Sequence, residues 1–325
     1  MRRLIIACRR ALLGLSVALG ISAAFGVPAA SALEVGIVGG PNPQLWPVFI
    51  GNKYKFFGVA GQLDLVTAPS SSAIVQQVAA GSLPMSVSSG LTDPIRAATM
   101  GADVAIARID GEVPPYALLA KPGIHSLAEL RGKIISIGGA KDITRVYLEK
   151  MLAPSSVLPG QYDLVFAGAT SARFAALSAG AVDAALLFPP FNFRAVASGY
   201  RQLGLVVDFA PDLPFSGVTA NRAWARANPA VLRAVLDGYD RAVGWMRDPG
   251  HRDEAIAMMV AATHSDITDI TQTFDFLGQI GFYSERSSIS RRKLSAMIDA
   301  LAAQGDIPAG TTIERLVLPG TVLVP

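Results

Sequence analysis

Apolar segments with the pattern of buried strands alternate with amphipathic helices along most of this chain, and that alternation constrains the fold more than any other feature. Strands are predicted at 33–38, 63–66, 85–87 and 104–109, and segment 70–80 carries its apolar residues at helical spacing. Repeated strand–helix–strand units form a parallel sheet through right-handed crossovers, and ligands bind at the carboxyl ends of its strands. The sequence therefore predicts an α/β protein with a binding crevice.

A second series of strands and helices begins near Lys121. Its strands are predicted at 133–137, 164–166, 184–187 and 202–207, and long helices follow at 229–246, 252–262, 266–277 and 290–303. Without the N-terminal segment 1–32 discussed below, 293 of the 325 residues remain, which exceeds the size at which a single core is usual, so we expect two lobes. The chain is predicted to cross between them at 114–122 and 209–219, and its helical tail to return to the first lobe. Two crossovers between duplicated units are typical of a hinged binding protein.

The N-terminus has the pattern of a cleavable secretory signal. Four arginines within residues 1–10 precede an uncharged apolar run at 11–27, and an Ala-x-Ala pattern ends at Ala32. The alternative is a transmembrane anchor, but this run is at the short end of the ~17–25 residues that a spanning helix needs. We predict a signal peptide at 1–32, cleavage after Ala32, and a soluble periplasmic protein.

Composition argues against several classes of function. Four of the 28 basic residues and none of the 25 acidic residues lie in the predicted signal, so the rest of the chain is nearly neutral and a nucleic-acid partner is not expected. The single cysteine, Cys8, also lies there, and the histidines lack the spacing of a zinc site. They are His125, His251 and His264. Nucleophile-elbow, P-loop and dinucleotide motifs do not occur, so we expect neither catalytic residues, nor a metal, nor a cofactor.

Residues 122–139 combine several structural signals. Ser126 and Glu129 have the spacing of a capping box, and an apolar run at 134–137 ends at two glycines before a helix predicted at 143–152. A strand, a glycine turn and a helix N-terminus in this order place backbone N–H groups at the carboxyl end of a strand. That arrangement suits an anion or the polar end of a ligand.

This passage and two others carry a resemblance to a known family. Residues 122–139, 70–87 and 175–185 resemble segments of periplasmic substrate-binding proteins of ABC transporters, in the SsuA/THI5-like (NMT1-like) family. The likeness extends well over 33–208 and poorly over the helical tail. It departs at Leu83-Pro84-Met85, where the family usually has an acidic or basic residue, then Leu or Ile, then Asp.

The resemblance implies a type II periplasmic-binding-protein fold, with two Rossmann-like lobes around a cleft joined by two hinge crossovers. Lobe one is then expected to comprise 33–118 and 217–325, the latter including the helical segment, and lobe two 119–216. The fold class is α/β. Asp183, in the turn before a strand, is expected to have a structural role.

Four loops that follow strands are expected to meet at the cleft. Their candidate ligand-binding residues are Asn42, Gln44, Trp46, Ser88, Ser89, Thr92, Gly139, Lys141, Thr144, Phe188, Phe191 and Asn192. Each loop brings a helix N-terminus and small polar groups to a strand end. We expect hydroxyls of Ser88, Ser89 and Thr144 to bind the polar end of the ligand. The alternative is that such residues only cap helices.

Aromatic residues in these loops are expected to contact the apolar part of a ligand. Trp46, Phe188 and Phe191 are the candidates, and many relatives that resemble this chain have Glu in place of Phe188. Losing a carboxylate and gaining an aromatic ring favours a ligand with an apolar or aromatic body. The alternative is that Phe188 does not contact the ligand and packs in the core of the lobe. Arg145 and Arg173 lie near strand ends, where each could contact an anion or simply be solvated.

The resemblance implies the solute-binding component of an ABC importer. Such a protein would capture a small organic solute of the sulfonate, nitrate or pyrimidine type, anionic or aromatic, by lobe closure, and act as a monomer with permease subunits of the inner membrane. One alternative is an enzyme on the same fold, resembling those of the menaquinone or thiamine-pyrimidine pathways. Another is a sensory periplasmic binding protein.

Overall fold

The structure, a computed structural model, describes residues 32–325. The predicted signal peptide, apart from Ala32, lies outside the described residues. Two five-stranded sheets form the cores of two α/β lobes. Within residues 32–325, no helix is long and apolar enough to cross a membrane.

The strands and helices agree closely with the alternation predicted from the sequence. In chain order the strands of the two sheets are β1 (Leu33–Val38), β2 (Leu63–Ala68), β3 (Met85–Gly90), β4 (Val104–Gly111), β5 (Ala117–Ala120), β6 (Ile134–Ile137), β7 (Asp163–Phe166), β8 (Ala184–Leu187), β9 (Arg201–Leu205) and β10 (Ser216–Asn221). The helices are α1 (Trp46–Lys53), α2 (Ser71–Ala79), α3 (Thr92–Thr99), α4 (Ile143–Leu152), α5 (Thr170–Ser178), α6 (Phe191–Ala197), α7 (Arg222–Ala227), α8 (Pro229–Arg247), α9 (Arg252–Thr263), α10 (Ile267–Gln279), α11 (Arg291–Ala303) and α12 (Ile313–Leu316).

The two sheets have the same internal order. Lobe one is ordered β2-β1-β3-β10-β4 and lobe two β7-β6-β8-β5-β9. In each, four strands run in the same direction and one strand lies antiparallel between its two neighbours: β10 in lobe one and β5 in lobe two. Each antiparallel strand enters its sheet directly after the chain has crossed from the other lobe.

The predicted crossovers were therefore too long. Segment 114–122 contains all of β5, whose four residues are buried, and segment 209–219 contains the first part of β10. The chain passes between the sheets only within 112–116 and 206–215. Both strands were missed because nearby prolines gave their segments the composition of linkers. The lobe boundaries predicted from the sequence remain a prediction.

Helices α8 to α11 pack on lobe one, and two glycines allow one close helix contact. Phe57 is fully buried between Gly51 of α1 and Gly238 of α8. A Cβ atom on Gly238 would lie 2.3 Å from Phe57 Cδ1, and one on Gly51 would lie 2.4 Å from the same ring. The glycines thus let a phenyl ring fill the space between the two helices.

Local polar contacts explain two features of lobe two. Asp183 accepts hydrogen bonds from the N–H of Ile134 at 3.0 Å and from Lys121 at 2.9 Å, and the first of these lowers the pKa of its carboxyl group. Its role at the start of β8 is structural. The predicted capping box is not formed, because the Glu129 carboxylate accepts from the N–H of His125 at 3.0 Å and from Ser126 Oγ at 2.9 Å, and Ser126 Oγ makes no bond to the helix backbone.

Candidate functional site between the lobes

The two lobes touch along both sides of the seam between them. On one side Arg194 of α6 donates to Asp269 of α10, with Nε 2.8 Å from Oδ2. On the other, Arg96 of α3 donates to the carbonyl oxygen of Lys141 at 2.6 Å, just before α4. The structure is therefore a closed arrangement, in which the residues between the lobes are covered.

Four aromatic rings meet where the chain crosses between the lobes. We call Tyr116, Phe188, Phe215 and Phe282 the hinge aromatic cluster. Tyr116 and Phe215 come from the two crossing segments, Phe188 follows β8, and Phe282 follows α10. The Tyr116 ring lies edge-on to Phe188 and Phe215, at centroid distances of 5.7 and 5.5 Å, and Phe215 lies 6.0 Å from Phe188. Phe188 is thus buried in a hydrophobic core that continues from lobe two into the hinge.

Arg173 is the most unusual residue of this region. It lies in α5 and is only 4% exposed, and its guanidinium carbon is 5.3 Å from the centroid of the Tyr116 ring. Its Nε and Nη1 atoms are buried and have no hydrogen-bond partner among the described residues. A buried cation without an anionic partner is costly, so this group marks a place where an anion would be stabilised.

Arg145, the other arginine that the sequence left open, is held elsewhere. Its Nε donates to Glu149 of the same helix at 2.9 Å, and its side chain is 38% exposed. A signal for the difference was present in the sequence. Arg173 precedes the buried Leu177 by four residues in α5, and residues at that spacing share one helix face.

Asn192 is the second buried polar group without a partner. It lies in the first turn of α6, is 1% exposed, and neither Nδ2 nor Oδ1 finds a hydrogen bond among the described residues. The next residue, Phe193, contacts Phe276 of α10, with the rings edge-to-face at 5.7 Å. The start of α6 therefore lies at the seam between the lobes.

A hydrogen bond joins the start of α5 to the residue that follows β8. Thr170, in the first turn of α5, accepts at Oγ1 from the N–H of Phe188 at 3.0 Å. This bond holds the end of β8 beside the first turn of α5, three residues before Arg173. Burial raises the pKa of the neighbouring Tyr116 phenol, and the positive charge of Arg173 opposes that rise only in part. Tyr116 is accordingly neutral at physiological pH.

The serines predicted for the site in lobe one are used within the lobe. Strand β3 continues to Gly90, so Ser88 and Ser89 lie in a strand and the loop predicted there is wrong. Ser88, at φ 50°, donates to the buried Asp110 carboxylate through its N–H at 3.0 Å and its Oγ at 3.2 Å. Ser216 also donates to Asp110, at 2.6 Å, and Ser89 Oγ donates to the carbonyl of Val87 at 3.3 Å. Asp110 thus ties the end of β3 to the start of β10.

The loop after β6 is also held by internal bonds. Thr144 Oγ1 accepts from the N–H of Gly138 at 2.8 Å and donates to Asp142 Oδ1 at 2.5 Å. The Gly139 carbonyl accepts from the N–H of Asp142 at 3.2 Å. Lys141 is exposed and contributes its carbonyl to the contact with the other lobe. Asp142 is therefore the residue that caps α4, and the Thr144 hydroxyl links Gly138 to Asp142 within the turn.

Residues of the loop after β1 also form hydrogen bonds within lobe one. Asn42 accepts from the N–H of Gln44 at 3.0 Å, and the Gln44 carbonyl accepts from Ser88 Oγ at 3.3 Å. Trp46 is fully buried in the helical part of lobe one. Its indole N–H donates to the Ala255 carbonyl at 2.6 Å and its ring contacts Phe274 edge-on at 5.2 Å, which gives Trp46 a packing role.

Two further predicted residues flank the seam. Thr92 is buried at the start of α3. Phe191 packs on Phe174 inside lobe two, at a centroid distance of 5.7 Å, and the guanidinium of Arg194 lies over its other side. Of the predicted set, Phe188 therefore lies with residues that the sequence left open or missed, which are Arg173, Tyr116, Phe215 and Phe282. Asn192 follows Phe188 by four residues, in the first turn of α6.

Comparison with known proteins identifies the family. Residues 42–251 match the model of the NMT1/THI5-like family, and the chain belongs to that family. No curated protein shows significant sequence similarity to the chain. The resemblance stated from the sequence is thereby confirmed.

Solved structures confirm the fold. The periplasmic aliphatic sulphonate-binding protein SsuA from Escherichia coli superposes with a TM-score of 0.71 at 18% identity, covering 90% of this chain and 94% of that one. The periplasmic nitrate-binding protein NrtA from Synechocystis gives 0.67 at 14%, covering 86% and 83%. The desulfurization enzyme DSZB gives 0.67 at 15%, covering 89% and 96%. The chain thus has the periplasmic-binding-protein fold, which serves both binding proteins and an enzyme.

Proposed function

We propose that this protein is the solute-binding component of an ABC importer. It is exported to the periplasm by its signal peptide, binds a small organic solute between its lobes as a monomer, and presents the closed form to permease subunits in the inner membrane. The observation that carries this proposal is the pair of buried polar side chains without partners, Arg173 and Asn192, at the seam of two closed lobes. Membership of the family and the shared fold support it.

The contacts across the seam suit a protein that opens and closes. Besides the Arg194–Asp269 and Arg96–Lys141 contacts, Gln304 donates to Glu149 of α4 at 3.1 Å. Isolated ion pairs near the surface contribute only about 0–1 kcal/mol each. Such contacts hold the closed form weakly, so a bound solute shifts the equilibrium towards closure.

The ligand site proposed here is centred on lobe two and the hinge. Arg173 and Asn192 supply polar contacts, and Phe188 with Tyr116 supplies apolar surface. The loops after β1 and β6 and the end of β3 are held in place by the hydrogen bonds described above. These groups offer binding contacts, and burial keeps the Tyr116 phenol from acting as a base at neutral pH. We therefore propose binding without turnover.

A solute screen of the mature protein tests this proposal. A solute at 100 times its Kd should raise the free energy of unfolding by about 2.7 kcal/mol, which a thermal-shift assay detects. Small-angle scattering should then show a more compact molecule with solute than without it. Recovery of a chemically altered solute after incubation would instead favour an enzyme on this fold.

A further inference from the structure

The guanidinium of Arg173 forms no ion pair with a carboxylate within residues 32–325. No carboxylate in residues 32–325 is a hydrogen-bond partner of its buried Nε and Nη1. The nearby Asp142 carboxylate is engaged by Thr144, through the N–H at 2.9 Å and the hydroxyl at 2.5 Å. A guanidinium presents its N–H groups in a planar fork that matches an oxyanion. A ligand with one anionic group could therefore form an ion pair with the Arg173 guanidinium.

The surface beside that charge is aromatic. The Arg173 guanidinium lies over Tyr116, and the Tyr116 ring is edge-on to Phe188 at 66° and to Phe215 at 80°. Aromatic rings prefer partners that are flat and meet them edge-on or in an offset stack. An aliphatic chain would gain only burial from this surface, whereas a ring also gains the directional contact.

Asn192 adds a donor and an acceptor. Its Nδ2 can donate to the second oxygen of an anion, and its Oδ1 can accept from an O–H or N–H elsewhere on the ligand. Both atoms are buried and unpartnered among the described residues. Because leaving such groups unpaired is costly, a ligand that satisfies them is selected over one that does not.

From these observations we infer that the solute is a small aromatic acid, with one carboxylate or sulfonate held by Arg173 and Asn192 and its ring against Tyr116, Phe188 and Phe215. This inference rests on the proposed solute-binding function. It assigns anion recognition to lobe two and the hinge, so the ligand contacts lobe two before the lobes close.

Calorimetric titration of the mature protein with five probes tests the ligand class. Benzoate and benzenesulfonate carry the two possible anions, benzamide removes the charge, and cyclohexanecarboxylate and butanesulfonate remove the ring. We expect one of the two aromatic acids to bind at least tenfold more tightly than its neutral or aliphatic counterpart. Equal binding of the aliphatic acids, or binding of none of the five, would overturn the inference.

Arg173→Met tests whether Arg173 binds the anionic group. The control is Arg145→Met, because Arg145 also lies in a helix of lobe two near a strand end but is partly exposed. Losing a charge-assisted contact should weaken binding of the aromatic acid at least tenfold in Arg173→Met and leave it unchanged in Arg145→Met. Removing a buried charge without a partner should also leave the melting temperature of the ligand-free protein the same or higher. A lower melting temperature with unchanged affinity would mean that Arg173 is structural.

The two proposals fail in different ways. If a solute from a broader screen stabilises and compacts the protein but is neutral or aliphatic, and Arg173→Met binds it as wild type does, the solute-binding function stands and the aromatic-acid assignment is wrong. If an aromatic acid binds through Arg173 but is released chemically changed, the ligand class stands and the transport function is wrong.

Discussion

At the residue scale, polar groups at the strand ends divide into those that are satisfied within the protein and those that are not. Asp110 accepts hydrogen bonds from Ser88 and Ser216, and Thr144 is bonded to Gly138 and Asp142. Satisfied groups of this kind stabilise the loops, because a buried polar atom contributes only when it is paired. The unpaired groups of Arg173 and Asn192 are the ones available to a ligand.

Asp110 should make stability depend on pH. Burial raises the pKa of its carboxyl above the usual 3.8, and the hydrogen bonds from Ser216 and Ser88 oppose this. The folded state therefore holds the proton more tightly than the unfolded state, so the Asp110 contribution to stability falls as pH rises from 3.8 through the folded pKa. The test is urea unfolding of wild type and Asp110→Asn over this pH range. As pH rises, the free energy of unfolding of wild type should fall relative to that of the variant. A rise relative to the variant would contradict the raised pKa.

Thr144→Ala should lower stability and leave solute affinity unchanged. The variant loses the side-chain bonds to Gly138 and Asp142, and a lost hydrogen bond of this kind costs about 0.5–1.5 kcal/mol. Thr144→Ser keeps the hydroxyl and is the control. Urea unfolding and calorimetric titration measure the two effects. Weaker binding at unchanged stability would restore the ligand contact expected from the sequence.

At the element scale, packing of the helical tail on lobe one depends on small residues where helices approach. Phe57 fills the space between α1 and α8 only because both helices have glycine there. Helix propensity alone would favour alanine at both positions, so local preference and tertiary packing disagree. The packing decides which residue is tolerated.

Gly238→Ala should therefore destabilise the protein although alanine is the better helix former. The new Cβ would lie 2.3 Å from Phe57 Cδ1, and overpacking a core costs about 1–3 kcal/mol. Gly244 lies in the same helix with nothing within 4 Å of its Cβ position, so Gly244→Ala is the matched control. It should gain up to about 1 kcal/mol. Chemical unfolding of both variants gives the comparison, and two changes of the same sign would refute the packing argument.

At the scale of the whole molecule, the lobes are joined by two short crossings and by a few polar contacts at the rim. The crossings converge on the hinge aromatic cluster, which lies beside the charge of Arg173. Closure and solute binding would then be coupled at one place, because the ligand touches residues that come from both crossing segments.

Asp269→Asn should shift the molecule towards the open form. It removes the ion pair with Arg194 across the seam, which is worth at most about 1 kcal/mol, so solute affinity should fall up to roughly fivefold. Asp275→Asn is the control, because Asp275 of the same helix pairs with Arg252 inside one lobe. Scattering and titration are the measurements. Equal effects of the two variants would mean that the Arg194 contact has no part in closure.

Export should remove residues 1–32. The charged, apolar and Ala-x-Ala segments predict a mature chain that begins at Leu33. N-terminal sequencing of protein recovered from the periplasm is the measurement, with protein from the cytoplasm of the same cells as the control. Exported protein that begins at Met1 would show that the segment is not cleaved.

The amino-acid sequence by itself determined the local elements and the family of this protein. Apolar runs and helical patterns placed most strands and helices within a few residues, and Asp142 is a cap at the start of α4 whose partner lies only two residues away. The tertiary structure alone decided the place of β5 and β10, which pair with strands distant in sequence, and left Arg173 Nε and Nη1 without a partner among the described residues. Strand pairing and hydrogen-bond partners depend on contacts between segments that are distant in the sequence. A local sequence pattern does not predict such contacts.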